Sequence, residues 1–209
     1  MATKNNYLIQ VAQAQERFLQ YDQNALIEKL KMQVDDKFFY VKLLCKTYRI
    51  DRNTGNTQRQ GTSGWEDANT HSEVMTLMDL ICDSRNDRYL ALRWKNMQGF
   101  GLMFHQNLLE DKKDPWAYRI QENQDAFRAA CIAMAGEPLP NGDIAYAIEV
   151  FDGLPIAIQF WEGDEEFAPR LRYMWDENAL MYLKYETMYF AVNLLMSRID
   201  EEMKKPAAN

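Results

Sequence analysis

Cysteine is scarce: Cys45, Cys82 and Cys131 are the only three in 209 residues, far apart, with no CxxC pair. An odd, dispersed set excludes a disulfide framework, a zinc finger and a ferredoxin-type cluster, and is read as buried thiols. Histidine is scarcer, with His71 and His105 alone, and nothing in their spacing links them. There is no GxxxxGK[ST], GxGxxG, HExxH or GxSxG, so the usual signatures of phosphate cradling, dinucleotide binding, zincin and α/β-hydrolase chemistry are missing. No apolar run approaches the ~18 residues of a membrane span. The opening MATKNNYLIQ has no signal-peptide core, so a cytoplasmic location is expected.

What is present is ordinary globular material. Apolar residues make up 47% and charged residues 26%, with 5 Trp, 11 Tyr and 10 Phe to build a core. A chain of this length buries roughly 70% of its unfolded surface and needs no staple. The formal net charge is −7, which disfavours non-specific binding to nucleic acid or anionic lipid. A basic patch at Arg49, Arg52 and Arg59 is read as a solvated hairpin.

The periodicity starts helical. Leu8, Val11, Phe18 and Leu19 lie near helical spacing, and Asp22 caps a second piece carrying Leu26, Ile27 and Leu30. Aromatic and β-branched residues then predict strands over Phe38–Leu44 and Thr47–Asp51, turning at Cys45-Lys46. Thr70 and Glu73 have capping-box spacing ahead of a stripe at Val74, Leu77, Met78 and Ile81. A short strand is expected within Arg88–Trp94, and a short apolar helix over Leu102–Leu109. Asp114-Pro115 opens a helix that runs to Gly136.

Residues 144–151 and 154–160 alternate around Asp152-Gly153 as a hairpin, and Leu171, Tyr173 and Trp175 form a third strand. Pro155 is expected at a strand start or an edge. Asp176 is read as the cap of a long helix to about Lys204. Its seam at Met181, Tyr185, Met188, Val192, Leu195 and Ile199 packs within the chain or on a second copy. The fold class is α+β: an antiparallel sheet of short strands and hairpins against several helices. A single domain over 1–205 with a disordered tail at 206–209 is expected, as monomer or homodimer.

One loop carries the candidate chemistry. Trp161-Glu162-Gly163-Asp164-Glu165-Glu166-Phe167 holds four acids in five positions between apolar strands. Crowded carboxylates repel, so Arg170 and Arg172, a cation, backbone N–H groups or water must offset them. Trp161 and Trp175 are expected to share a rim with these acids, suited to a cationic or planar ligand. The binding candidates are therefore Trp161, Glu162, Asp164, Glu165, Glu166, Trp175 and Asp176.

The stretch from Gly136 to Thr187, with Gly142-Asp143, the Leu154–Phe167 return and Trp175-Asp176 before a helix ending at Glu186, resembles a bacterial and archaeal family of unknown function, mostly from anaerobes. The WEGDEEF run is its specific part. Some members resemble fusions with a cysteine-rich iron–sulfur segment, whose cysteines this chain does not have. The resemblance implies no activity to inherit. The preferred reading is a non-catalytic accessory protein that binds an unknown small molecule or protein through the acidic-aromatic loop, with neither nucleic acid nor membrane. The alternative is a carboxylate enzyme holding a divalent cation on Glu162, Asp164 and Glu165. No other cofactor is implied.

Overall fold

A computed structural model describes residues 2–68, 70–100 and 114–205, with side chains from residue 6 onward. The chain is an α+β protein with six helices and two antiparallel five-stranded sheets among those residues. It divides into two compact units, residues 1–89 with 178–194 and residues 90–177 with 195–209. The helix at 102–109, His105 and the tail at 206–209 lie outside the described residues.

In the first unit, α1 (Ala2–Leu19) and α2 (Gln23–Leu30) are divided at Asp22, whose carboxylate accepts the N–H groups of Asn24 and Ala25. This is the cap that the sequence predicts. Strands β1 (Gln33–Val34), β2 (Phe38–Leu43), β3 (Lys46–Asp51), β4 (Thr57–Gln60) and β5 (Trp65–Asp67) form a meander in that order. The β2–β3 turn sits one residue earlier than expected, at Leu44-Cys45, both with φ near +50°. A two-residue loop with two positive φ values matches strand twist. Cys45 is consequently exposed at the apex, a correction to its expected burial.

Helix α3 (His71–Asp83) follows, with Val74, Leu77, Met78 and Ile81 fully buried. Thr70 occupies the N-cap position but its hydroxyl caps no backbone group. Glu73 is 1% exposed and turned inward, accepting from the Tyr48 hydroxyl (2.7 Å), Arg59 Nη1 (2.8 Å) and the Thr70 hydroxyl (3.3 Å), so the expected pair meets side chain to side chain. Asp79 on the next turn takes Arg17 from α1 (2.5 Å) and the buried Thr187 hydroxyl (2.6 Å). At the helix C-terminus, Lys29 Nζ donates to the carbonyls of Ile81 and Ser84, where a cation complements the helix dipole.

The second unit begins with β6 (Trp94–Asn96) and a 3-10 turn, Met97–Phe100. The helix expected over 114–136 is two: α4 (Pro115–Glu122) and α5 (Gln124–Ala133), broken at Asn123, whose φ of −139° leaves the helical region. Then come β7 (Glu137–Pro138), β8 (Ile144–Phe151), β9 (Leu154–Trp161) and β10 (Arg170–Asp176), giving the order β6-β10-β9-β8-β7. Pro155 is the second residue of β9, at the strand start as expected, and faces Glu149 beside a register shift, where a missing N–H is tolerated.

The last helix, α6, runs Tyr185–Met203 and begins nine residues after Asp176, beyond a 3-10 turn at Ala179–Met181. Asp176 is not its cap. Tyr185, Met188, Val192, Leu195 and Ile199 are buried by the chain itself, so the seam is not a vacant dimer face. No helix among the described residues is long and apolar enough to cross a membrane.

Two outcomes follow for the first unit. Glu73→Ala removes the buried acceptor shared by the Tyr48 hydroxyl and Arg59 Nη1 and lowers unfolding stability by about 3 kcal/mol, read from the urea midpoint. His71 lies between the rings of Tyr7 and Phe190, at 4.7 and 4.8 Å, and partial burial holds its pKa below 6.5. The unfolded chain therefore binds this proton first, so His71 costs stability as pH falls below about 6.5. The thermal midpoint of His71→Gln should fall less than that of the parent between pH 7 and pH 5.

Candidate functional site

The acidic loop joins β9 to β10, and its shape is set by three local devices. Asp164 accepts the N–H groups of Glu166 (2.8 Å) and Phe167 (2.7 Å) and donates its own N–H to the Phe167 carbonyl (2.8 Å), an Asx turn closed on itself. Those two N–H groups, Phe167 first, hold the Asp164 carboxyl below the usual aspartate range. Gln121 of α4 grips Gly163 from both sides, accepting its N–H at 3.0 Å and donating to its carbonyl at 3.4 Å. Asp143, just before β8, accepts the N–H of Glu162 at 2.8 Å.

Glycines are required on both sides of this brace. Gly142 has φ +101°, and a Cβ there would stand 2.7 Å from the Phe160 carbonyl. At Gly163 a Cβ would meet the Pro169 nitrogen at 2.5 Å. The chain therefore closes tightly at the loop neck.

Glu162, Asp164, Glu165 and Glu166 are all exposed. Arg172 turns to the Trp161 ring, 5.4 Å from its centroid, and among the described residues neither it nor Arg170 pairs with a loop acid. Backbone N–H groups offset the charge of Asp164, and among the described residues the expected arginines form no ion pair with the loop. Phe167, absent from the sequence-derived candidates, is 69% exposed at the turn. Its signal was its position as the lone apolar residue after a run of acids.

Trp175 and Asp176 are elsewhere. Trp161 pairs with Arg170, whereas Trp175 pairs with Ile156 at the far end of the same ladder. Residues directly opposite share a face and neighbours along a strand alternate, so the two indoles also point to opposite faces. The shared aromatic rim does not form. Trp175 is fully buried, and its indole N–H meets no acceptor among the described residues.

Asp176, also buried, accepts the N–H groups of Ala91 (2.9 Å) and Leu92 (2.8 Å). This capture diverts residues 88–93 from the expected strand, delays β6 to Trp94, and holds Leu92 at φ +56° with 84% of its surface exposed.

Among the described residues no three His, Cys, Asp or Glu side chains are grouped to hold a metal ion, and Glu162, Asp164 and Glu165 form no such cluster. Cys82 and Cys131 are buried, which pushes both thiols up to about 12 and away from nucleophilic chemistry at neutral pH.

Residues 22–198 match the family described as Domain of unknown function (DUF3786). The chain belongs to that family. No curated protein and no solved structure matches it. The family match takes in both units and the whole loop.

The seven candidates should therefore divide on mutation. Asp176→Ala removes the acceptor of the Ala91 and Leu92 N–H groups from a buried position and should cost about 2 kcal/mol in chemical denaturation. Glu165→Ala should stay within about 0.5 kcal/mol of the parent. Gln121→Ala should accelerate amide hydrogen exchange at Gly163 while leaving β9 protected.

Proposed function

We propose that the chain is a non-catalytic binding protein whose contact element is the β9–β10 loop, and that its partner presents cationic groups beside an apolar pocket. The observation that carries this reading is Phe167, an aromatic side chain held 69% exposed on a braced turn among four exposed acids. A mobile loop loses conformational entropy when it is ordered on binding. A loop already fixed by its own Asx turn and by Gln121 and Asp143 loses less. The acids steer an oppositely charged surface and the ring supplies the desolvated anchor. The same loop contains the WEGDEEF run on which the family resemblance rests.

The test is site-specific photo-crosslinking in the native cytosol. A crosslinking residue at Phe167 should capture one discrete partner. The same residue at Ile132, which is comparably exposed on α5, should not. Glu165→Gln with Glu166→Gln should weaken that capture about tenfold at low salt and by less at high salt. Identical crosslinks from both positions, or capture indifferent to the two glutamines, would overturn the reading.

A further inference from the structure

The outer face of the first sheet is a surface separate from the β9–β10 loop. Alternation along the first sheet turns Phe39, Val41, Tyr48 and Ile50 inward and leaves Phe38, Tyr40, Arg49 and Trp65 half-buried on the other face. The register sets Tyr40 opposite Arg49, and Arg49 opposite Gln58. The Arg49 guanidinium lies 4.2 Å from the Phe38 ring and 4.5 Å from the Trp65 ring. Its Nε–H donates to Gln58 Oε1 at 2.7 Å, and Gln58 Nε2 in turn donates to Asp67 at 3.0 Å. Tyr40 and Trp65 are 6.1 Å apart.

Arg49 forms no ion pair among the described residues, although Asp35 interacts with it electrostatically and Asp67 shares its face through Gln58. The acids bordering the face are engaged. Asp35 spends its oxygens on the N–H groups of Lys37 and Phe38 and on the Tyr40 hydroxyl. Asp51 caps the Asn53 and Thr54 N–H groups.

Charge in this stretch runs opposite to the rest of the chain. Residues 37–67, the span of this face, carry six basic side chains against the three acids Asp51, Glu66 and Asp67, in a protein of net charge −7. Arg52 and Arg59 are spent on Gln23 and Glu73. Exposed Lys37 and Lys42 flank the aromatic face, and neither forms an ion pair among the described residues; Lys37 Nζ is 5.1 Å from the Phe38 ring.

Aromatic rings on an open sheet, an arginine fork held by stacking, and exposed lysines beside them form a composition that binds bases by their π faces and phosphates by charge. Screening confines each charge to about 8 Å at physiological salt, so the local sign outweighs the distant acidic balance. We infer that the outer face of β2–β5 binds single-stranded nucleic acid, with bases on Trp65 and Tyr40 and backbone phosphates on Arg49, Lys37 and Lys42. An open face with cations on either side of the rings suits an extended strand better than a lone nucleotide, which favours a concave pocket. Nucleic-acid binding, set aside on total charge, returns once the fold segregates the residues.

The test is fluorescence anisotropy of a labelled oligouridylate of about 12 nucleotides, within the usual footprint of such surfaces, titrated with the full chain. Binding should be saturable and weaken as salt rises. Trp65→Ala and Arg49→Gln should each weaken it about tenfold or more, and Lys42→Glu, on an exposed site that cannot perturb the core, should do likewise. Glu137→Gln, at an exposed acid on the other sheet, should leave it unchanged. No saturable binding at low salt, or parental affinity retained in both the Lys42→Glu and the Trp65→Ala proteins, would overturn the inference. Competition by uridine monophosphate as strong as by the oligomer would also overturn it, assigning the face to a free nucleotide.

Discussion

A carboxylate removed from water must be given donors, and in each unit this requirement fixes the local architecture. In the first unit Glu73 draws Tyr48 from β3 and Arg59 from β4 onto one helix, while Asp79 one turn on draws Arg17 and Thr187. In the second, Asp176 gathers two N–H groups from a segment 84 and 85 residues earlier in the chain. Each of these acids is positioned by partners distant in sequence, and each partner set is incompatible with a surface role. The apolar cores supply most of the driving force for collapse. The buried acids determine which packing among the apolar alternatives is compatible with satisfied polar groups.

How far the sequence could be read follows from this. Period and local caps were legible: the Asp22 cap, the Asp152-Gly153 hairpin and the buried stripe of α3 needed only near neighbours. Acids with distant partners were misread. Glu73 has capping spacing and is pulled inward by Tyr48. Asp176 precedes a helical seam and is claimed by Ala91 and Leu92 instead. The helix from Asp114 broke at Asn123 without a proline or glycine to announce it. Strand alternation gave each strand's two faces, but not that the early and late strands belong to separate sheets.

The candidate loop shows the same division. Its existence, acids and flanking strands were legible, because they are contiguous. Its stiffness was not, since Gln121 lies 42 residues away from Gly163 and Asp143 lies 19 away from Glu162. The expected partnership of Trp161 with Trp175 failed on separation along the ladder and on parity, because pairing 161 with 170 sets 175 at the far end and on the opposite pleat. A cluster judged by density of charge thus proved to be a surface turn, and its most informative member is an aromatic residue at its end.

The hairpin apex at Cys45 has a practical consequence. Cys82 and Cys131 are sealed by burial, which raises their thiols to about 12, whereas Cys45 stands in solvent at a turn between two paired strands. A thiol-directed dye or spin label applied at neutral pH will therefore settle on one position of the native protein, with no cysteine engineered away. The first sheet carries its own attachment point for distance and mobility measurements, and the two sealed thiols become reporters of unfolding.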